Sequence, residues 1–255
     1  MSLPPRSLKH EYELYLEREI EDYKDSVPRS ALRSLGDEAV ALLAQEQQFA
    51  LTELLLCDEV DRIISKRLRL PTYRTWLRRR RKALEKYRTP EHWGMRPEEP
   101  LVRSISTGDD TRVVVAGPSA EDAALYLAAN GCDVTTLDSA FDSVERVMAA
   151  AEQAGLAARV HGCVAELGTW APVEPVHAVV TSPAAFDGLT ALERARVIAT
   201  LQSVTIDGGV HLVRTVLAGQ AAISIEELSS RYRGWQISVE PAQGAARTFL
   251  ARKSA

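Results

Sequence analysis

Cysteine is scarce in this 255-residue chain, and before Gly94 the only glycine is Gly36. Cys57, Cys132 and Cys163 are an odd number at wide spacing. None lies in a C-x-x-C pair or near a suitable histidine, which argues against a disulfide framework and against zinc, so no metal is expected. Each sits in an apolar stretch and reads as a reduced core residue, which points to a cytoplasmic protein. No apolar run approaches the ~18 residues of a membrane span. Met1–Arg6 has no apolar stretch behind it, so no secretory leader is expected. A P-loop, a Ser/His/Asp arrangement and a cluster of metal ligands are also missing.

The net charge of −4 is unevenly spread. Residues 1–100 carry 19 Lys+Arg against 18 Asp+Glu, and the remainder 12 against 17. The acidic second part argues against a broad nucleic-acid surface there. Within the first part, residues 11–25 are acid-rich and residues 62–88 strongly basic, as expected of two segments facing each other in a helical bundle.

The scarcity of glycine makes residues 1–100 read as an all-α domain. A charged amphipathic helix covers 8–25 and stops at Pro28. Ser34-Leu-Gly-Asp37 has capping-box spacing and predicts a long helix through Arg67. Pro71 suits a first helical position and predicts a third helix to about Arg88. The proline-dense RTPEHWGMRPEEP then reads as a linker into a second domain, 101–255.

From Thr111 short β-branched runs alternate with alanine-rich helices. Strands are expected at 112–117, 133–137, 159–164, 177–181 and 210–216, the last following Gly208-Gly209. Helices are expected at 121–130, 142–154 and 192–204, with Thr190-x-x-Glu193 as a capping box, and a short one at 224–232. Such alternation means parallel pairing with helices on both faces. The last two strands, 236–239 and 248–251, lack a helix between them and predict an antiparallel hairpin. The result is a seven-stranded, mostly parallel α/β sheet after an all-α domain.

In such sheets a ligand sits beyond the carboxyl ends of the strands, so the first βα turn is the place to look. It contains Gly117-Pro-Ser119-Ala-Glu121-Asp122, and Asp138 ends the next strand about 20 residues on, where a carboxylate usually meets ribose hydroxyls. That spacing also fits NAD. ALYLAANGCDVTTLD, VHAVVTSPAAF, IDGGVHLVRTV and the closing GWQISVE…ARTFLARK hairpin make residues 111–254 similar to class I S-adenosylmethionine-dependent methyltransferases. The resemblance implies a Rossmann-like methyltransferase fold and S-adenosylmethionine as cofactor.

The family's first loop is D-x-G-x-G-x-G and lies against the methionine part of the cofactor. Gly117 matches its first glycine, whereas Val115, Ser119 and Glu121 stand where the acid and the other two glycines occur. Asp138 matches the ribose carboxylate, and Glu166 the acidic residue near the adenine. Ser182 lies in Thr181-Ser-Pro-Ala-Ala-Phe186, the loop over the methyl group, which is similar to the S-P-P-F/Y loop of amino-group methyltransferases. Ser119 and Asp122 stand in S-x-x-D relation and are expected to cap the helix, in competition with a bound carboxylate, while Glu121 could attract the cofactor's cationic groups.

No catalytic residue is assigned, because methyl transfer is an in-line displacement that gains mostly from positioning. His177 and His211 are expected to be satisfied strand residues, and Trp170 to pack in the core or shield the adenine. The sequence names no methyl acceptor. Residues 59–81 superficially resemble a helix-turn-helix, with Arg78, Arg79 and Lys82 facing outward as possible phosphate contacts. Three functions stay open: a methyltransferase whose helical domain selects substrate or forms a homo-oligomer, a non-catalytic relative serving as an interaction module, and a DNA-binding regulator with a ligand-sensing domain.

Overall fold

A computed structural model describes residues 7–45, 53–118, 120–216, 222–242 and 246–254. The chain forms two compact units, Met1–Arg81 and Lys82–Ala255. In the first, α1 (Leu8–Ser26) opens on Ser7, whose side chain accepts the His10 N–H. α2 (Arg29–Gln45) begins just after Pro28, so Ser34–Asp37 lies inside a helix instead of starting one. α3 (Glu53–Arg67) packs Ile63 and Ile64 against Leu35 and Ala39 of α2. One straight helix would hold Leu35 and Ile63 about 42 Å apart at 1.5 Å per residue. The chain therefore reverses, and the single helix expected over 34–67 is two; residues 46–52 lie outside the described set.

Arg69 follows α3 with φ 53, and Leu70 N–H reaches Ser65 O at 3.0 Å while Arg69 N–H reaches Lys66 O at 3.2 Å. This is a Schellman ending with arginine in the left-handed place that glycine normally takes. α4 (Tyr73–Tyr87) is capped by Thr72, whose hydroxyl oxygen accepts Thr75 N–H at 3.4 Å, so Pro71 precedes the cap instead of opening the helix. The acid-rich and basic segments do meet. Glu11 pairs with Arg80, and Tyr12 packs edge-on against Tyr73 and tilted against Trp76 while its hydroxyl donates to Pro71 O at 2.9 Å. Arg78, Arg79 and Lys82 are exposed.

The second unit begins within α4. Leu84 and Tyr87, then Trp93 on the 3-10 turn Pro90–Trp93, pack on its core, and Met95 and Leu101 are buried in it. The stretch expected to be a linker is thus ordered, ending in α5 (Pro100–Ser104). Five strands follow: β1 (Arg112–Ala116), β2 (Asp133–Asp138), β3 (Val160–Val164), β4 (Val176–Thr181) and β5 (Thr205–Val216). α6 (Glu121–Ala129), α7 (Phe141–Gln153) and α8 (Ala191–Val204) connect them, and α9 (Ile225–Arg231) leads to the hairpin β6 (Gln236–Pro241) and β7 (Arg247–Arg252).

The sheet order is β3-β2-β1-β4-β5-β7-β6, with β7 antiparallel to both neighbours and all other pairs parallel. This is the Rossmann-like methyltransferase fold, with its terminal hairpin. The side-chain period of two sends Val113 and Val115 to the face covered by α6 and α7, and Val114 and Ala116 to the face covered by α8 and α9. Both faces being covered explains why β1 is a continuous apolar run. Thr190 makes the expected capping box with Glu193. β5 begins earlier than expected, with Gly208 and Gly209 inside it. A Cβ on Gly209 would lie 2.8 Å from Ile206 O, so only glycine allows that approach.

Candidate functional site

Strand order reverses between β1 and β4, and the space beyond their carboxyl ends holds two clefts. The smaller, of about 230 Å³, is lined by Gly117, Asp138, Glu166, Leu167 and Gly188 among others. The larger, of about 450 Å³, is lined by Asp122, Thr181, Ser182, Arg214 and Thr215 among others. They share Ala116, Ala184 and Asp187 as walls. The acids of the smaller cleft, Asp138, Glu166 and Asp187, make it attractive to a cationic ligand.

Gly117 directly follows β1 at φ 109, a value that side chains rarely tolerate. A Cβ there would lie 2.7 Å from Ser182 Oγ and 3.2 Å from the Ala185 Cβ. The first loop and the loop after β4 are therefore in close contact across the mouth of the sheet. Ser182 Oγ is buried there without a partner. Asp138 is half satisfied: Oδ1 accepts Ala140 N–H at 2.8 Å, while Oδ2 is buried and unpartnered. An unpaired buried carboxylate oxygen is costly, and in a ligand cleft it marks a place for a donor from outside.

Gly117, Asp138 and Glu166 are thus brought together in one cleft, and Ser182 lines the other. Glu121 departs from expectation: it pairs with Arg146 of α7 at 3.4 Å and lines neither cleft. Ser119 lies outside the described residues. The cap of α6 is Ala120, with no side-chain cap bond. Asp122 accepts the Ala123 N–H at 2.8 Å and turns to Arg214; the cap expected between Ser119 and Asp122 falls on Ser119 and so lies outside the described residues. Phe186, at 2% exposure, belongs to the core on the α8 side, as does the partly buried Trp170, and neither lines a cleft. Cys132 is buried, but Cys57 is exposed, against its expected core place. Arg214, which lines the larger cleft, is not among the site residues expected from the sequence.

The histidines are structural. His177 Nδ1 accepts Arg112 N–H at 3.2 Å. His211 is buried between Thr205 Oγ1 and Tyr232 Oη, each 2.7 Å away. Thr205 donates to Leu201 O, so its oxygen accepts Nε2–H, and Nδ1 accepts the Tyr232 hydroxyl. Burial, then the Lys253 ammonium, pushes His211 down to about 3, and burial pushes Tyr232 up. A neutral, fully bonded imidazole away from the clefts is no general base for them.

No family model and no curated protein matches this sequence. Similar solved structures include TehB from Haemophilus influenzae, 19% identical over 56% of this chain and 57% of that one, at a TM-score of 0.47. The glycopeptide N-methyltransferase MtfA in complex with S-adenosyl-L-homocysteine is 10% identical over 58% and 84%, at 0.48. The [4+2]-cyclase SpnF is 16% identical over 61% and 78%, at 0.49. This chain spans a little over half of the first of these, TehB. At such distances they say nothing of this chain's chemistry, which stands on its own residues.

Proposed function

We propose that the sheet unit binds S-adenosylmethionine across the two clefts and serves methyl transfer. The observation that carries this reading is Asp138, whose Oδ2 is buried without a partner beside Gly117 at the end of the strand next to β1. A pair of vicinal ribose hydroxyls supplies the missing donors, and Gly117 is the residue that lets backbone approach them. Glu166 and Leu167 line the same cleft and would take the adenine side. Bound there, S-adenosylmethionine supplies an electrophilic methyl group.

What this chain's residues contribute is placement. Asp138 orients the ribose, and the contact of Gly117 with the Ser182 loop limits water at the junction of the clefts. Asp122 is offset by its partner Arg214, so Asp187 leaves the larger cleft with net negative charge, where a cationic sulfur centre is favoured. Holding the two reactants in line is the principal source of rate for such a displacement. Calorimetric titration with S-adenosylmethionine and S-adenosylhomocysteine tests the reading. Micromolar binding, weakened at least roughly ten-fold by Asp138→Ala, is expected from the loss of a charge-assisted hydrogen bond. No heat at ligand concentrations of hundreds of micromolar overturns it.

A further inference from the structure

Arg214 lines the larger cleft near the end of β5, just after the buried stretch Val210–Val213. Val213 and Val216 are each 2% exposed, and between them the ladder to β7 slips: Val213 pairs with Phe249 but Val216 with Arg247. Three steps on β5 thus oppose two on β7, the geometry of a bulge, which re-aims side chains. Thr215, within it, has φ 59, a left-handed value that β-branched residues rarely adopt. Arg214 meets Asp122 in a two-pronged pair, Nη1 to Oδ1 at 3.2 Å and Nη2 to Oδ2 at 2.9 Å. Both side chains are largely withdrawn from solvent, at 22% and 34% exposure, yet both line the cavity. The unpartnered Ser182 Oγ lies in the same wall.

A partly buried ion pair adds little net stability. Here it is reached through a strained bulge, which is a poor way to stabilise a fold. What the pair does offer is a cation and an anion side by side on the wall of a cavity. We propose that Arg214 and Asp122 recognise an α-amino-acid head group in the larger cleft. The guanidinium N–H groups of Arg214 that Asp122 leaves free take the carboxylate, and the Asp122 carboxylate takes the ammonium. This rests on the cofactor reading above, in which the smaller cleft takes the nucleoside. It also accounts for the substituted first loop: where glycines at 119 and 121 are lacking, a side chain from β5 holds the head group. The chemistry has two sources, the methionine end of the cofactor or a free amino acid.

The full-length chain is titrated with S-adenosylhomocysteine, with 5′-methylthioadenosine, which lacks the head group, and with free methionine. Arg214→Met is expected to weaken S-adenosylhomocysteine by roughly ten- to a hundred-fold and leave 5′-methylthioadenosine unchanged, with Arg214→Lys intermediate. Equal weakening of both nucleoside ligands, or none of either, overturns the assignment. If Arg214→Met fails to fold, Asp122→Asn carries the same comparison, its loss again confined to S-adenosylhomocysteine. Arg214-dependent binding of methionine, with S-adenosylhomocysteine no tighter than 5′-methylthioadenosine, assigns the head-group site to a free amino acid. Methionine binding without binding of either nucleoside overturns the cofactor reading alone, and no binding of any of the three overturns both.

Discussion

His211 shows what one buried side chain does to the pH dependence of the whole unit. Its folded value of about 3 lies below the ordinary 6.5 because burial, and secondarily Lys253, disfavours the charged ring. Between those values the unfolded chain takes up a proton that the folded chain refuses. The associated stability is complete above pH 6.5 and is lost as pH falls towards 3. Across pH 6.5 to 4.5 the loss is on the order of 2–3 kcal/mol from this residue. Denaturant midpoints of the wild type and His211→Gln over that range check it: the variant's profile is expected to be flatter, and parallel profiles refute it. Gly117 makes a second prediction. Gly117→Ala adds a Cβ at φ 109, 2.7 Å from Ser182 Oγ, and is expected to cost roughly 2–3 kcal/mol. Adding Ser182→Ala removes the closest clash but neither the 3.2 Å approach to the Ala185 Cβ nor the strained φ, so the double variant recovers only part, as equilibrium unfolding measures. Gly117 and Asp138 are readable from sequence because backbone freedom and ribose spacing are local constraints. Arg214 is not, because its meaning depends on a bulge and on Asp122, 92 positions earlier.

Elements whose signals are local appear where they are expected. The Thr190 capping box starts α8, and the buried strands follow from β-branched runs bounded by turns. Ser34–Asp37 fails for a physical reason: capping-box spacing also occurs inside helices, and Pro28 supplies an earlier start. The reversal between α2 and α3 is set by Leu35 and Ala39 meeting Ile63 and Ile64, a contact no local pattern encodes. The end of α3 yields a prediction at this scale. Arg69 is exposed and holds a left-handed φ of 53 that disfavours any side chain by about 1–2 kcal/mol, while glycine loses somewhat more chain entropy. Arg69→Gly is therefore expected to stabilise the helical unit by about 0.5–1 kcal/mol. A lowered denaturant midpoint for that unit would show that Arg69 has a compensating role.

At the scale of the whole molecule, composition locates a change near residue 100, whereas packing divides the chain at Arg81 and Lys82. The two differ because proline density marks where helices stop, not where cores end. Pro90 opens a 3-10 turn and Pro100 a short helix, and the residues between them are held by the sheet unit. Trp93 Nε1–H donates to Tyr87 O at 2.8 Å, and the Arg88 guanidinium donates to Ala129 O, tying this stretch to the end of α6. A fragment beginning at residue 101 forfeits Leu84, Tyr87, Trp93 and Met95 and uncovers Leu125, Leu127 and other apolar side chains in the same core. A fragment beginning at residue 72 keeps these contacts and the Thr72 cap of α4. Losing the buried Met95 costs about 1.5–3 kcal/mol, and the partly buried Leu84, Tyr87 and Trp93 add a smaller amount each, together a sizeable part of the roughly 5–15 kcal/mol that usually holds a domain folded. The 72–255 fragment is expected to unfold in one cooperative transition and to bind S-adenosylhomocysteine as the full chain does. The 101–255 fragment is expected to unfold at much lower denaturant, or to lack a cooperative transition. Circular dichroism of both across a urea series decides the matter, and equal midpoints would place the division of the chain after α5.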